Sequence, residues 1–200
     1  MPNAPTAGMK PLPKLIFALT AVAAFSVAYP AKANLITNPG FETGNLTGWT
    51  PSGGFPTTVT GTLNGISPHS GSFQARIPTT GLATNLAQSV TTTPGATYMI
   101  DFFAAATNGN LQANFTLTVN FGGTVFSHLF NANTNYAEFT FNATAPTSST
   151  SLNFTVEGLG ILLLDDVSVE LATVPDGGTT VSLLGCALLG LAALRRKLGC

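Results

Sequence analysis

Charge is scarce in this chain. Charged residues make up 8% of its 200 positions, and between residues 34 and 172 Arg76 is the only base. Seven acids stand against it there, Glu42, Asp101, Glu138, Glu157, Asp165, Asp166 and Glu170, for a formal net of −6. A surface so poor in Lys and Arg does not hold phosphate backbones or anionic lipid, so no nucleic acid is expected as a partner. The acidic balance leaves room for a cation. Cysteine is absent from the same stretch, because Cys186 and Cys200 both lie near the C-terminus. The body therefore has no internal disulfide and must rest on its apolar core. Histidine is limited to His69 and His128, which read as a surface-loop residue and a solvent-facing or satisfied strand residue. There is no His-x-x-x-His pair, no Gly-x-Ser-x-Gly and no Gly-rich phosphate loop. No spacing favours a carboxylate pair for glycoside hydrolysis. The chain is not expected to be an enzyme. Amphipathic helical periodicity is also missing from the body.

What the body has is alternation with a period of two. Tyr98, Ile100 and Phe102 alternate with Met99 and Asp101. Phe115, Leu117, Val119 and Phe121 alternate with Thr116, Thr118 and Asn120. Leu152, Phe154 and Val156, and again Val167, Val169 and Leu171, do the same. Shorter runs fit at Phe73 to Ile77, Leu86 to Val90 and Phe139 to Phe141. Half-buried strands give this pattern, because successive side chains point to opposite faces. Turn residues separate the runs, as at Ser52-Gly53-Gly54, Pro94-Gly95, Asn108-Gly109-Asn110 and Gly122-Gly123. Eight or so short strands without helices predict an all-β fold, a β-sandwich of jelly-roll type, over residues 34–172.

Both ends read differently from the body. Lys10 and Lys14 precede an apolar run from Leu15 to Val27, and Ala31-Lys32-Ala33 fits a small-x-small cleavage site. Residues 1–33 thus read as a signal peptide cut after Ala33. The C-terminus, residues 173–200, has three parts: the turn-rich motif Val174-Pro175-Asp176-Gly177-Gly178, an apolar segment 179–194, and a basic tail, 195–200, with Arg195, Arg196 and Lys197. The apolar run is shorter than the roughly 20 residues that span a bilayer comfortably. It lacks a polar face, and a basic cluster follows it as on the cytoplasmic flank of a membrane helix. A single C-terminal transmembrane helix is therefore expected.

In this order the tail resembles the PEP-CTERM sorting signal of Gram-negative bacteria, in a Val-Pro-Asp-Gly-Gly variant. Asp176 stands where the name-giving pattern has Glu. The resemblance implies export across the inner membrane, a membrane-anchored intermediate and recognition by an exosortase-type sorting enzyme. Its implied destination is the cell surface or the extracellular matrix, alongside exopolysaccharide.

The body carries a second resemblance. Asn34 to Glu42, Gly48-Trp49, His69 to Ala75, Gln88-Ser89-Val90, Pro94 to Tyr98 and Leu164 to Val169 follow one another as in the galactose-binding-like jelly rolls, which include many carbohydrate-binding modules. That superfamily implies a structural calcium tying the first strand to the last, and the matching positions are Glu42, Asp165 and Asp166. Calcium takes oxygen ligands, and an inward Asp165 needs some partner. A calcium ion and hydrogen-bonded carboxylates without metal both satisfy that need. Trp49 and Tyr98 read as core residues. The sequence thus points to a non-catalytic, exported surface or matrix protein associated with exopolysaccharide. The alternative is a lectin-like module that itself binds a polysaccharide. A groove of exposed aromatics would favour binding; a Thr/Asn-covered surface would favour a structural role.

Overall fold

Alternating apolar residues make strands, and the sheet they form folds back over its own apolar face. The computed structural model describes residues 33–172, together with the isolated helical positions Gly185, Ala187, Gly190, Arg195 and Arg196. The signal-peptide segment, the sorting motif 174–178 and Lys197 lie outside the described residues, as does most of the apolar run. Among the described residues no helix is long and apolar enough to cross a membrane.

Among the described residues nine strands run in chain order: β1 (Thr50–Gly53), β2 (Thr58–Thr60), β3 (Gln74–Thr80), β4 (Thr84–Thr91), β5 (Thr97–Thr107), β6 (Asn114–Phe121), β7 (Thr124–Phe130), β8 (Thr134–Thr144) and β9 (Ser149–Leu171). All pairings are antiparallel, and β9 joins two half-sheets. Its first part lies between β4 and β6, giving the order β1-β4-β9-β6-β7. Its second part lies between β3 and β5, giving β2-β3-β9-β5-β8.

The sequence reads β9 as two separate strands, 152–156 and 167–171; the structure makes them one strand of 23 residues. The join is at Gly158 and Gly160, whose φ of 131° and 147° suit glycine alone. A Cβ on Gly158 would sit 2.5 Å from the Asn114 carbonyl oxygen. The chain bends there from one half-sheet into the other.

Between the halves the predicted inward residues meet. Phe102 packs edge-on against Phe154 at 5.2 Å and against Phe126 at 6.0 Å. Trp49 is buried against Phe41 and Phe154, and its indole N–H donates to the Asn38 carbonyl. Tyr98 is buried too, its hydroxyl accepting from the Thr93 N–H. Both aromatics are therefore core residues. Two expectations change. Leu171 ends β9 exposed rather than buried. His128 is not solvent-facing: it is half-buried, between Phe130 at 4.6 Å and Phe139 at 4.8 Å, where edge strands β7 and β8 close the sandwich with aromatic pairs.

Candidate functional site

The first half-sheet turns to solvent a face whose two central rows are uncharged, with the exposed Glu157 one row farther along β9. Register fixes its composition, because residues paired directly across antiparallel strands share a face. One row crosses all five strands as Ser52, Asn85, Thr155, Thr118 and Ser127. The next row reads Thr50, Ala87, Asn153, Asn120 and Val125. At about 4.8 Å per strand each row is roughly 19 Å long. Neither row holds a charge or an aromatic ring. Within the first row the Thr155 hydroxyl donates to Asn85 Oδ1 at 2.7 Å. Asn153 Oδ1 beside it is buried without a hydrogen-bond partner. Such a surface offers amides and hydroxyls at strand spacing, the complement of a ligand rich in hydroxyls and without charge.

The second half-sheet carries the acidic cluster on its outer side. The sequence places Asp165 and Asp166 on opposite faces of a strand; the structure brings their carboxylates together. At Asp166 the backbone has a φ of 47°, and the register of β9 against β5 slips by one residue between Asp101 and Phe103. This bulge breaks the alternation that puts Val167 and Val169 in the core. Asp165 consequently pairs with Phe103 on the outer face, and not inward as its spacing from Val167 suggests. It is nevertheless fully buried, because the loop 68–73 covers it.

Each carboxylate oxygen there has defined company. Asp165 Oδ2 accepts from the backbone N–H of His69 at 2.9 Å and of Ser70 at 3.2 Å, and Oδ1 accepts from the Asp166 N–H at 2.9 Å. Asp166 Oδ1 accepts from the Ser70 hydroxyl, and Oδ2 is hydrogen-bonded to His69 Nδ1 at 2.7 Å. The His69 ring stacks on Phe103 at 3.6 Å, with Tyr136 edge-on to it at 5.6 Å. His69 is thus a packed and bonded loop residue. Burial pushes the Asp165 carboxyl up to about 6, against the three backbone bonds, and the neighbouring Asp166 charge adds to the rise. Burial and the Glu138 charge raise Asp101, farther along β5.

Glu42 comes to the same loop but is set differently. Its carboxylate accepts from the backbone N–H of Ser72 and Phe73. The three predicted calcium residues therefore share one neighbourhood and one loop. Beside Gly40 the Oδ1 atoms of Asp165 and Asp166 converge, since a Cβ there would stand 3.5 and 3.2 Å from them. Neither aspartate pairs with Lys or Arg among the described residues. Two converging carboxylates without a Lys or Arg partner suit a hard cation. Among the described residues, however, no three His, Cys, Asp or Glu side chains are grouped to hold a metal. The remaining ligands would have to be backbone carbonyls.

Residues 33–160 match the family described as Carbohydrate binding domain. The chain belongs to this family. The carbohydrate-binding domain is followed by a match to the VPDSG-CTERM motif over residues 173–198. The chain has Gly177 where that motif's name has Ser. No curated protein matches the chain.

Among solved structures, the domain is similar to TmCBM61 in complex with β-1,4-galactotriose, with 20% identity, 70% of this chain and 99% of that chain covered, and a TM-score of 0.57. It is similar to the CBM22-1 xylan-binding domain of Xyn10C from Paenibacillus barcinonensis, with 20% identity, coverage of 74% and 99%, and a TM-score of 0.52. It also resembles the K1 cleaved adhesin domain of Lys-gingipain from Porphyromonas gingivalis, with 13% identity, coverage of 67% and 96%, and a TM-score of 0.53. These likenesses establish the fold, a jelly-roll β-sandwich. The rows on the first face escape sequence reading, because only the register aligns residues as distant as Ser52 and Thr155.

Proposed function

We infer that this protein binds a neutral polysaccharide without acting on it, and that the outer face of the first half-sheet is where the chain lies. The family match over residues 33–160 carries this reading. The two uncharged rows around Asn85, Thr155, Asn153 and Asn120 supply hydrogen-bond partners for sugar hydroxyls. No ring is offered for stacking there, so recognition rests on hydrogen bonds worth about 1 kcal/mol each. Single-site affinity is then weak, and many copies on one surface would bind by avidity. The sorting motif fits an exported protein processed by an exosortase-type enzyme. Its place is the surface or matrix of a Gram-negative cell, held at the membrane before release and working among exopolysaccharide.

Affinity electrophoresis of the full chain in gels containing neutral galactan, xylan or the producer's own exopolysaccharide tests the reading. Retardation by at least one gel is expected, and Asn85→Ala with Thr155→Val should abolish it. A folded protein that no polysaccharide retards would reject binding. Retardation indifferent to that pair would reject the face.

Calcium belongs to the same proposal as a structural ion. Asp165 and Asp166 would hold it beside Gly40, with Glu42 adjacent and carbonyls completing the shell. It would lock the 68–73 loop to the β9 bulge. A rise in melting temperature with calcium supports it; identical melting in calcium and in chelator rejects it.

A further inference from the structure

We propose that the protein has a second, separate site that takes a single neutral sugar residue, in a pocket at one end of the sandwich. The pocket is an open hollow of about 270 Å3 between the β2–β3 loop, the β5–β6 loop and the start of β8. That is just under the roughly 300 Å3 at which pockets for drug-sized ligands begin, so it suits one pyranose or a chain end and not an oligosaccharide.

Its walls are built before any ligand arrives. Asn64 and Gly65 close a two-residue turn in the left-handed region, with φ of 49° and 81°. Opposite them Asn133 staples the β5–β6 loop with four bonds. Its Oδ1 accepts from the N–H of Asn108 and Ala113, both at 3.0 Å, and its Nδ2 donates to the carbonyls of Gly109 at 3.2 Å and Leu111 at 2.8 Å. The Asn64 Nδ2 donates to Thr107 Oγ1 at 3.1 Å and so ties the two loops together.

Unspent hydrogen-bonding groups remain on this frame. Thr107 is only 2% exposed, and its hydroxyl oxygen already accepts from Asn64 Nδ2 and the Gly109 N–H. Its own proton has no acceptor among the described residues, and the pocket is the space left to it. The Asn64 Oδ1 and the whole Asn135 amide are likewise without partners there. The lining has no charged and no aromatic side chain. Donors and acceptors in a small uncharged hollow select a compact neutral polyol over an anion, a cation or a planar ring. None of these residues belongs to the rows on the first face, so the two sites can be lost separately. The inference shares the carbohydrate class with the proposed function but names a different site.

Isotope-labelled full-length protein is titrated with galactose, glucose, mannose and xylose, and backbone amide shifts are followed by NMR. At least one sugar should shift amides within 64–66, 107–109 and 133–135. Asn135→Trp, at an exposed position of β8, should fill the pocket and abolish those shifts. Asn135→Ala should weaken binding about fivefold, the equivalent of one hydrogen bond. Neither variant should alter retardation by polysaccharide. The inference falls if no sugar shifts those amides, or if the shifts survive both Asn135 variants. Shifts confined to Asn85, Asn120 and Thr155 would also overturn it while leaving the first-face reading intact.

Discussion

Asp165 is the residue whose environment makes the sharpest demands. Three backbone N–H groups point at its carboxylate, and no base offsets the charge it carries under the loop. Asp165→Asn would turn an NH2 group toward those donors, and a cost of about 1–3 kcal/mol is expected in chemical denaturation. The same substitution should erase any calcium-dependent shift in melting. In chelator the pH dependence has a defined sign. The folded carboxyl titrates near 6 and the unfolded one near the ordinary value of 3.8, so the folded state holds the proton more tightly. Stability from this group is therefore fully present below about pH 4 and is lost as pH rises through 6, by at most about 3 kcal/mol. Calcium, which needs the ionised form, should oppose this trend; denaturation series at several pH values, with calcium and with chelator, measure both.

Among the elements, β9 decides the architecture, and glycine decides β9. Gly158→Ala would place a methyl group 2.5 Å from the Asn114 carbonyl oxygen and 2.6 Å from the Phe115 α-carbon, at a φ of 131°. Both are backbone atoms and cannot swing aside. A loss of more than about 3 kcal/mol, or failure to fold, is expected. Circular dichroism and thermal melting of the variant check it. This glycine pair also marks the limit of what the sequence makes legible. Phe115 to Phe121 and Leu152 to Val156 announce themselves, because burial on one face imposes the period of two. The continuity of β9 does not, because Glu157 to Gly160 interrupts the period. Edge strands β1 and β2, four and three residues long and little buried, carry too few apolar positions to show a period. The bulge at Asp166 is invisible for a different reason: an Asp-Asp pair looks the same whether or not the ladder slips. The acidic neighbourhood of Glu42, Asp165 and Asp166 was nonetheless readable through the superfamily resemblance. The neutral rows and the end pocket were not, since both depend on pairings between residues far apart in the chain.

At the scale of the molecule, a carbohydrate-binding domain is followed by a C-terminal sorting motif, and under the proposed function the first would hold a ligand while the second sets a destination. If the tail is processed, mass spectrometry of the released protein should find its C-terminus near Val174-Pro175. Recovery of extracellular protein that still ends in Cys200 would contradict cleavage. With Arg76 as its one Lys or Arg, the domain offers little to the phosphates of nucleic acid or anionic lipid.

The course of β9 has a mechanical consequence. Asn153 and Thr155 lie on the same strand that ends at Leu171, where the tail begins. A glycan gripping the first face and a tether pulling from the C-terminus would load one continuous strand through its bend at Gly158 and Gly160. Its neighbours β4 and β6, then β3 and β5, flank it on both sides through most of that length. Their hydrogen bonds would be strained together in shear rather than opened one at a time like a zip. The fold would thus put its stiffest direction between what it holds and what holds it.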